Sequence, residues 1–201
     1  MANTRGAFRQ TWTAVRALLV FTIALGVLYP AVITLASLAL PAQSSGSLVT
    51  FDGRVVGSSL IGQSFTDGDG NALPEWFQSR PSAAGDGYDG SASSGSNYGP
   101  NNADLIAAIS DRKAAIAALE GVSESDIPAD AYTASASGLD PHISEAYALL
   151  QVDRVAETRG LDAADVRELV ESKVVGRDLG YLGEPRVNVL ELNVALAEMD
   201  N

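Results

Sequence analysis

The residues best suited by type and spacing to catalysis lie around His142, the only histidine of the chain. Asp140 lies two residues before it, and Ser135, Ser137 and Ser144 lie close in sequence. A Ser-His-Asp hydrolase combines these residue types, but it needs a geometry that spacing alone does not show. The chain has no G-x-S-x-G nucleophile motif. The sequence therefore predicts no catalytic residue.

Residues 67–71 (DGDGN) resemble the start of a calcium-binding loop, because oxygen ligands at alternate positions suit a hard cation. The sixth position is Ala72 rather than glycine, and the twelfth is Gln78 rather than glutamate. Without the sharp turn and the bidentate closing carboxylate, a polar turn is favoured. The chain has no cysteine, which excludes disulfides and thiolate metal sites. We predict no metal site and no cofactor bound by this chain.

The charge of the chain argues against nucleic acid as a partner. The formal net charge is −12 overall and +3 in residues 1–43, which leaves −15 for the remainder. An acidic surface repels phosphate backbones, and no basic patch compensates for it. No G-x-x-x-x-G-K-[ST] phosphate-binding loop occurs. The residues thus favour a binding or assembly role over an enzyme.

An uncharged run near the N-terminus must position everything that follows it. Residues 17–41 contain no charged side chain and are mostly apolar. As a helix they would extend over about 37 Å, against a hydrocarbon core of about 30 Å, so we predict a transmembrane helix. The apolar region of a signal peptide is usually only about 7–15 residues long, which favours a retained anchor over a cleaved signal. Tyr29-Pro30 interrupts the run, but membrane helices tolerate a proline.

The charges that flank the run predict its orientation. Three arginines precede it with no acidic residue among them, and no charge follows until Asp52. Positive flanks stay in the cytoplasm. We therefore predict a cytoplasmic N-terminus (1–16), a transmembrane helix (17–41) and one soluble extracytoplasmic domain (42–201).

The domain begins with patterns typical of strands and loops. Short apolar runs on either side of Asp52-Gly53 predict a hairpin over residues 49–56. Residues 66–103 are rich in Gly, Ser, Asn, Asp and Pro. A loop of this length is unusual in a compact domain, so we expect a binding surface or disorder there.

Three amphipathic helices follow, and then residues 187–196 are predicted as a strand that passes into a short helix. The predicted helices begin or end at capping residues, which are Asn102, Gly121, Ser144, Gly160 and Asp162. One face of the first helix is predicted to consist of Leu105, Ile106, Ile109, Ile116 and Leu119. This order of elements predicts an α+β fold for the domain.

Six segments behind the N-terminal run carry a family resemblance. They are GSSLIGQSF (57–65), WFQSRPSA (76–83), SGSNYGP (94–100), TASASGLDPHIS (133–144), QVDRVAETRGL (151–161) and LGEPRVNVLELNVAL (182–196). No segment is specific alone. In this order they resemble the KdpC family, the C subunit of the Kdp potassium-transporting ATPase, over essentially the whole chain.

The resemblance implies a non-catalytic accessory subunit of a high-affinity, ATP-driven potassium uptake complex in the bacterial inner membrane. Its implied partners are a potassium-translocating subunit, a P-type ATPase subunit and a small single-span subunit, with lipid around the anchor. The family is described as needed for assembly, and as a chaperone that raises the ATP affinity of the hydrolysing subunit. The P-type motif DKTGT is absent here. An extracytoplasmic domain has no access to cytosolic ATP, so ATP is expected to act through the complex.

Four residues are predicted to make contacts with a partner or ligand. Arg80, Asn97 and Tyr98 lie in the long polar loop and are predicted at the partner interface. For Arg80, the alternative to a partner carboxylate is a local salt bridge. Gln151 lies on the second helix near its apolar stripe, and we predict a nucleotide or partner contact for it.

Two other classes of function stay open at this stage. One is an anchored extracytoplasmic hydrolase, for which the sequence supplies no convincing nucleophile or metal. The other is a membrane-anchored extracytoplasmic binding module unrelated to transport. Such a module would be stable and active without a membrane partner.

Overall fold

The computed structural model describes residues 4–199, which form two compact units that meet between Ser47 and Leu48. The helices are α1 (Thr4–Ile23), α2 (Tyr29–Ser37), α3 (Pro41–Ser44), α4 (Ala103–Glu120), α5 (Ala129–Tyr132), α6 (Glu145–Leu150), α7 (Val152–Arg159), α8 (Ala163–Ser172) and α9 (Val189–Met199). The strands are β1 (Leu48–Phe51), β2 (Arg54–Ser58), β3 (His142–Ile143) and β4 (Val187–Asn188). The mixture of helices and short strands in the second unit confirms the predicted α+β character.

The N-terminal unit is dominated by one apolar helix. Within residues 4–199, Gly6–Ser37 is the one helix long and apolar enough to cross a bilayer, and it is unburied throughout. Pro30 has no N–H to donate to the carbonyl four residues earlier. Residues 24–28 accordingly form a π-helical turn, in which the Tyr29 N–H bonds to the Ala24 carbonyl five residues back. The helix begins before residue 17, and the predicted bounds of the span, 17–41, stay a prediction.

The second unit opens with the predicted hairpin. Strands β1 and β2 pair antiparallel, with a bulge between Val49 and Thr50. Asp52 and Gly53 have φ values of 48° and 73°. A two-residue turn with both residues in the left-handed region matches the right-handed twist of the strands, which is why Asp-Gly is favoured there.

The core of the domain lies between α6, α7, α8 and α9. Strand β3 pairs antiparallel with β4, in the register His142–Asn188 and Ile143–Val187. The fully buried aliphatic side chains are Val152, Val155, Val166, Val170, Val187, Leu192 and Leu196. Burial of each such side chain contributes about 1.5–3 kcal/mol relative to exposure.

The capping predictions are confirmed. Side-chain oxygens of Asn102, Ser144 and Asp162 each accept a backbone N–H in the first turn of α4, α6 and α8. Gly121 and Gly160 close α4 and α7 with φ values of 67° and 69°. The predicted second helix is two helices, α6 and α7, that meet at Gln151.

The predicted buried face of α4 is wrong in part. Ile106 is 59% exposed, and none of the helix residues is fully buried. Only the C-terminal part of the helix, with Ile116 and Ala117, packs against the core. Most alanines of α4 lie on the side opposite its leucines and isoleucines, so apolar residues surround the helix and the pattern does not single out the face that is in contact.

The long polar segment is neither a surface loop throughout nor without order. Residues 59–102 contain no helix or strand, yet Phe77 and Ala84 are fully buried and Gln78 is 9% exposed. Buried backbone without regular pairing must find hydrogen bonds elsewhere. Two side-chain amides supply them here, and we call the pair, Gln151 and Asn193, the amide clamp.

The amide clamp pairs with the backbone as a neighbouring strand would. Asn193 Oδ1 accepts the Phe77 N–H at 2.9 Å, and its Nδ2 donates to the Phe77 carbonyl at 3.0 Å. Gln151 Oε1 accepts the Gln78 N–H at 2.6 Å, and its Nε2 donates to the Gln78 carbonyl at 3.2 Å. Four buried backbone groups are thereby satisfied.

A buried ion pair holds the same region from the other side. Arg154 Nε lies 3.0 and 2.9 Å from the two carboxylate oxygens of Glu120, and the two side chains are 7% and 1% exposed. The Arg154 guanidinium also donates to Gln151 Oε1 at 2.9 Å and to the Trp76 carbonyl at 3.1 Å. Burial raises the pKa of Glu120, although Arg154 opposes this. The Arg154 guanidinium therefore links α4, α7 and the irregular segment.

Replacing Gln151 with leucine tests the amide clamp. The change leaves the N–H and carbonyl of Gln78 unpaired in the core, at about 1–3 kcal/mol for each group. We expect the free energy of unfolding to fall by roughly 2–5 kcal/mol. Urea unfolding of the full-length protein in detergent, followed by Trp76 fluorescence in a Trp12→Phe background, measures it.

The matched control is Glu157→Leu, at an exposed position of the same helix. Its effect should stay within about 0.5 kcal/mol. Equal losses from the two variants would contradict a clamp.

Candidate functional site

Four of the sequence segments contribute to one group of loops, residues 57–65, 79–97 and 133–142, which we call the loop cluster. Backbone hydrogen bonds join them, Gly62 N to Leu139 O, Ser135 N to Pro81 O and Ser94 N to Ser137 O, each at 3.0 Å. The cluster contains most residues that the sequence singled out for chemistry. It is therefore the candidate functional site of the domain.

Gly138 permits a close approach of two backbone segments within the loop cluster. Its φ is +69°, and a Cβ there would lie 2.6 Å from the Ser94 carbonyl oxygen and 2.8 Å from the Ala84 N. The Ser82 hydroxyl donates to the Gly138 carbonyl at 2.7 Å. Only glycine fits both the backbone conformation and the space.

Arg80, Asp140 and His142 form the charged centre of the loop cluster. Arg80 Nη1 lies 3.0 Å from Asp140 Oδ2. Asp140 Oδ1 accepts the His142 N–H at 3.0 Å and lies 3.3 Å from His142 Nδ1. Burial of Asp140 favours a raised pKa, but the bonds from His142 and the charge of Arg80 outweigh it, so the pKa lies below its ordinary value of 3.8.

The serines near His142 have structural roles. Ser135 Oγ accepts the Gly138 N–H at 3.1 Å, and Ser144 Oγ donates to Asp130 Oδ1 at 2.9 Å. Across residues 4–199, the hydrogen bonds of His142 run to Asp140 and not to a serine hydroxyl. The serine–histidine contact that a hydrolase triad requires is thus not formed among these residues.

A cavity of about 660 Å³ adjoins the loop cluster, and its lining includes Arg80, Tyr88, Arg112 and Tyr147. The Tyr88 hydroxyl donates to the Arg80 carbonyl at 2.7 Å. Burial raises the pKa of Tyr88 to about 12, and burial likewise raises the pKa of Tyr147. Both phenols are therefore neutral hydrogen-bonding groups at physiological pH.

The calcium-like segment forms a polar turn. Asp67 Oδ1 accepts the Asp69 and Asn71 N–H groups at 2.9 and 2.8 Å, and Oδ2 accepts Asn71 Nδ2 at 3.0 Å. The hydrogen bonds from Asn71 lower the pKa of Asp67. Residues 4–199 hold no group of three or more His, Asp or Glu placed to bind a metal ion.

The four predicted contact residues lie in different environments. Gln151 is fully buried, and its four hydrogen-bonding positions are used by Gln78, Tyr147 and Arg154. Its predicted contact with a nucleotide or partner stays a prediction, and would require those bonds to break. The local salt bridge considered for Arg80 is present, to Asp140. Asn97 and Tyr98 are exposed, with Tyr98 at 46%.

Sequence reasoning missed Glu120, Arg154 and Asn193. A signal existed for Asn193, which lies four residues after Val189 and three before Leu196, on the apolar side of a helix. A polar residue at such a position needs a buried partner. Glu120 and Arg154 are 34 residues apart and gave no comparable signal.

The comparisons with known proteins extend over nearly the whole chain. Residues 11–198 match the family described as "K+-transporting ATPase, c chain". The Potassium-transporting ATPase KdpC subunit of Kineococcus radiotolerans is 50% identical over 94% of this chain and 93% of its own length. The KdpC subunit of Gemmatimonas aurantiaca is 54% identical over 90% of each chain, and that of Caulobacter vibrioides 53% identical over 88% and 86%.

An apolar helix long enough to span a bilayer, followed by one compact α+β domain, fits the class of single-pass membrane proteins. Within that class the chain belongs to the KdpC family, the C chains of K+-transporting ATPases. The predicted resemblance is confirmed.

The lowered pKa of Asp140 predicts a specific response to acid. The folded state binds this proton less readily than the unfolded state, so the stabilisation is complete above the ordinary pKa of 3.8 and is lost as the pH falls through the folded value. We expect Asp140→Asn to destabilise the protein at about pH 6 and to differ less from wild type at about pH 2. Urea unfolding at both values measures this.

The control is Asp153→Asn on the exposed side of α7. Its difference from wild type should not change between the two pH values. A pH-independent effect of Asp140→Asn would be incompatible with the assigned ion pair.

Proposed function

We propose that this chain is a non-catalytic accessory subunit of a high-affinity, ATP-driven potassium uptake complex. The family match carries the proposal, because residues 11–198 take in most of the apolar helix and nearly all of the domain. Its relatives are named as KdpC subunits of potassium-transporting ATPases. The partners we propose are a potassium-translocating subunit, a P-type ATPase subunit and a small single-span subunit.

The chemistry of the chain supports a non-catalytic role. The DKTGT phosphorylation motif of P-type ATPases is absent from the sequence. At the charged centre of the loop cluster, Asp140 is held by Arg80 and His142. ATP hydrolysis then belongs to a separate subunit, and the effect of this chain on ATP affinity is indirect, through the assembled complex.

We propose that the chain crosses the bacterial inner membrane once, with its N-terminus in the cytoplasm. The three arginines that give residues 1–43 a charge of +3 all precede the uncharged run 17–41, and the following −15 belongs to the domain. The positive-inside rule then directs the domain to the extracytoplasmic side. The anchor has small or weakly polar residues, including Thr22, Gly26 and Ser37, that permit close packing beside another helix.

Single cysteines test this topology cleanly, because the natural chain contains none. Gln10→Cys precedes the apolar run, and Ala164→Cys is exposed on α8. In spheroplasts, a membrane-impermeant maleimide should label Ala164→Cys at once and Gln10→Cys only after permeabilisation. The opposite pattern would reverse the proposed orientation.

The domain is proposed to cover the extracytoplasmic face of the potassium-translocating subunit, with Arg80, Asn97 and Tyr98 at the contact. Asn97 and Tyr98 are exposed and available. Arg80 is 24% exposed beside Asp140, so it would share its guanidinium between that residue and a partner carboxylate.

Capture from native membranes tests both the assembly and the role of Arg80. Tagged full-length protein, purified in mild detergent after growth at limiting potassium, should recover a P-type ATPase subunit and a potassium-channel-like subunit. Arg80→Ala should lower that recovery more than Asp140→Asn, because both variants break the internal pair but only the first removes the partner contact.

Equal recovery with both variants would confine Arg80 to an internal role. Recovery of wild-type chain alone, where other membrane complexes stay intact, would overturn the accessory-subunit proposal. The anchored binding module would then take its place.

A further inference from the structure

A small hairpin lies between α8 and β4, outside the loop cluster. Val175 and Arg186 exchange backbone hydrogen bonds at 2.8 and 3.0 Å, and Asp178 and Leu182 exchange two at 2.9 Å. These bonds fold residues 175–186 back on themselves. We call this segment the exposed hairpin.

The tip of the exposed hairpin is apolar and open to solvent. Leu179 is 81% exposed, Tyr181 69% and Leu182 49%. Single exposed apolar residues are ordinary on protein surfaces, but three within four positions of one turn form a patch. Such a patch costs solubility unless something covers it.

The backbone at the tip carries a second, independent signal. Leu179 has a φ of 54° and Gly180 a φ of 82°. The left-handed backbone conformation in turns is adopted mainly by Gly, Asn and Asp, and it is energetically unfavourable for leucine. Asparagine at position 179 would fit the turn better, so the turn itself does not explain the leucine. Strain of this kind often accompanies a functional surface.

The charges of the exposed hairpin cancel one another. Arg177 Nη2 lies 2.5 Å from Glu184 Oε2, and Arg186 Nη2 lies 3.3 Å from the Asp178 carboxylate. No cation is left over to attract an anionic lipid surface, and the domain region carries −15. The same charge opposes close contact between two copies of the domain. The occupant of the patch is therefore best matched by an apolar surface on a different protein.

We propose that the tip of the exposed hairpin, Leu179, Tyr181 and Leu182, docks into an apolar recess on a membrane-embedded partner subunit. The inference rests on the proposed function, since that function supplies the partner. Aromatic and aliphatic side chains on a pre-formed turn lose little conformational freedom on binding. The flanking ion pairs hold the turn in place and leave its tip free.

Leu179→Asn separates docking from folding, because its two expected effects have opposite signs. Asparagine tolerates the left-handed conformation, so the midpoint of thermal unfolding of the purified full-length chain should stay equal or rise. The apolar contact is lost, so recovery of partner subunits from native membranes should fall about tenfold or more. The control is Ile106→Asn, an isoleucine 59% exposed on α4, which should leave recovery unchanged.

Full recovery with Leu179→Asn, or an equal loss with Ile106→Asn, would overturn the docking surface while wild-type capture still supports the accessory-subunit function. Absence of partners with wild type would overturn both. A photo-crosslinking amino acid at position 181 identifies the occupant in native membranes. An adduct with a partner subunit supports the proposal, and an adduct with lipid or with a second copy of the chain contradicts it.

Discussion

The domain depends on satisfying a stretch of irregular backbone that lies inside its core. Phe77 is fully buried, and its neighbours have no strand to pair with. Unpaired buried N–H and carbonyl groups would cost about 1–3 kcal/mol each, which is a large part of the stability of a domain this size. Gln151 and Asn193 remove that cost by pairing with the backbone through side-chain amides.

Other buried polar groups in the core are connected to the amide clamp. Arg154 fixes Gln151 from one side and Glu120 from the other, which joins α4 to α7. Once residues 76–78 are held, the chain that follows reaches the loop cluster at Pro81 and Ser82. Arg80 is thus positioned by the buried backbone of residues 77–78 rather than by a helix or strand, whereas His142 lies in strand β3.

The surface of the domain combines acidic charge with a small exposed apolar tip, which fits a subunit of a membrane complex. Arg80, Asp140 and His142 in the loop cluster pair with one another, so they contribute order more than reactivity. The apolar surface outside the anchor is concentrated at places such as the exposed hairpin, on an otherwise acidic domain. Acidic charge keeps such a domain soluble and away from anionic lipid, and a small apolar tip provides specific contact.

Structural elements that depend on short-range interactions could be predicted from the sequence alone. The helical form of the apolar run, the Asp52-Gly53 turn and the caps at Asn102, Ser144 and Asp162 each depend on residues a few positions apart, and these features were confirmed. The family also followed from ordered segments, which carry evolutionary rather than physical information.

The partners of the buried polar residues depend on the tertiary structure. Gln151 was predicted as a contact residue, but it lies in the core because residue 78, distant in sequence, needs its amide. Glu120 finds Arg154 across 34 positions, and Ile106 is exposed because only one end of α4 meets the core. Side-chain pairing over such separations is set by how the elements pack, and a linear pattern does not encode it.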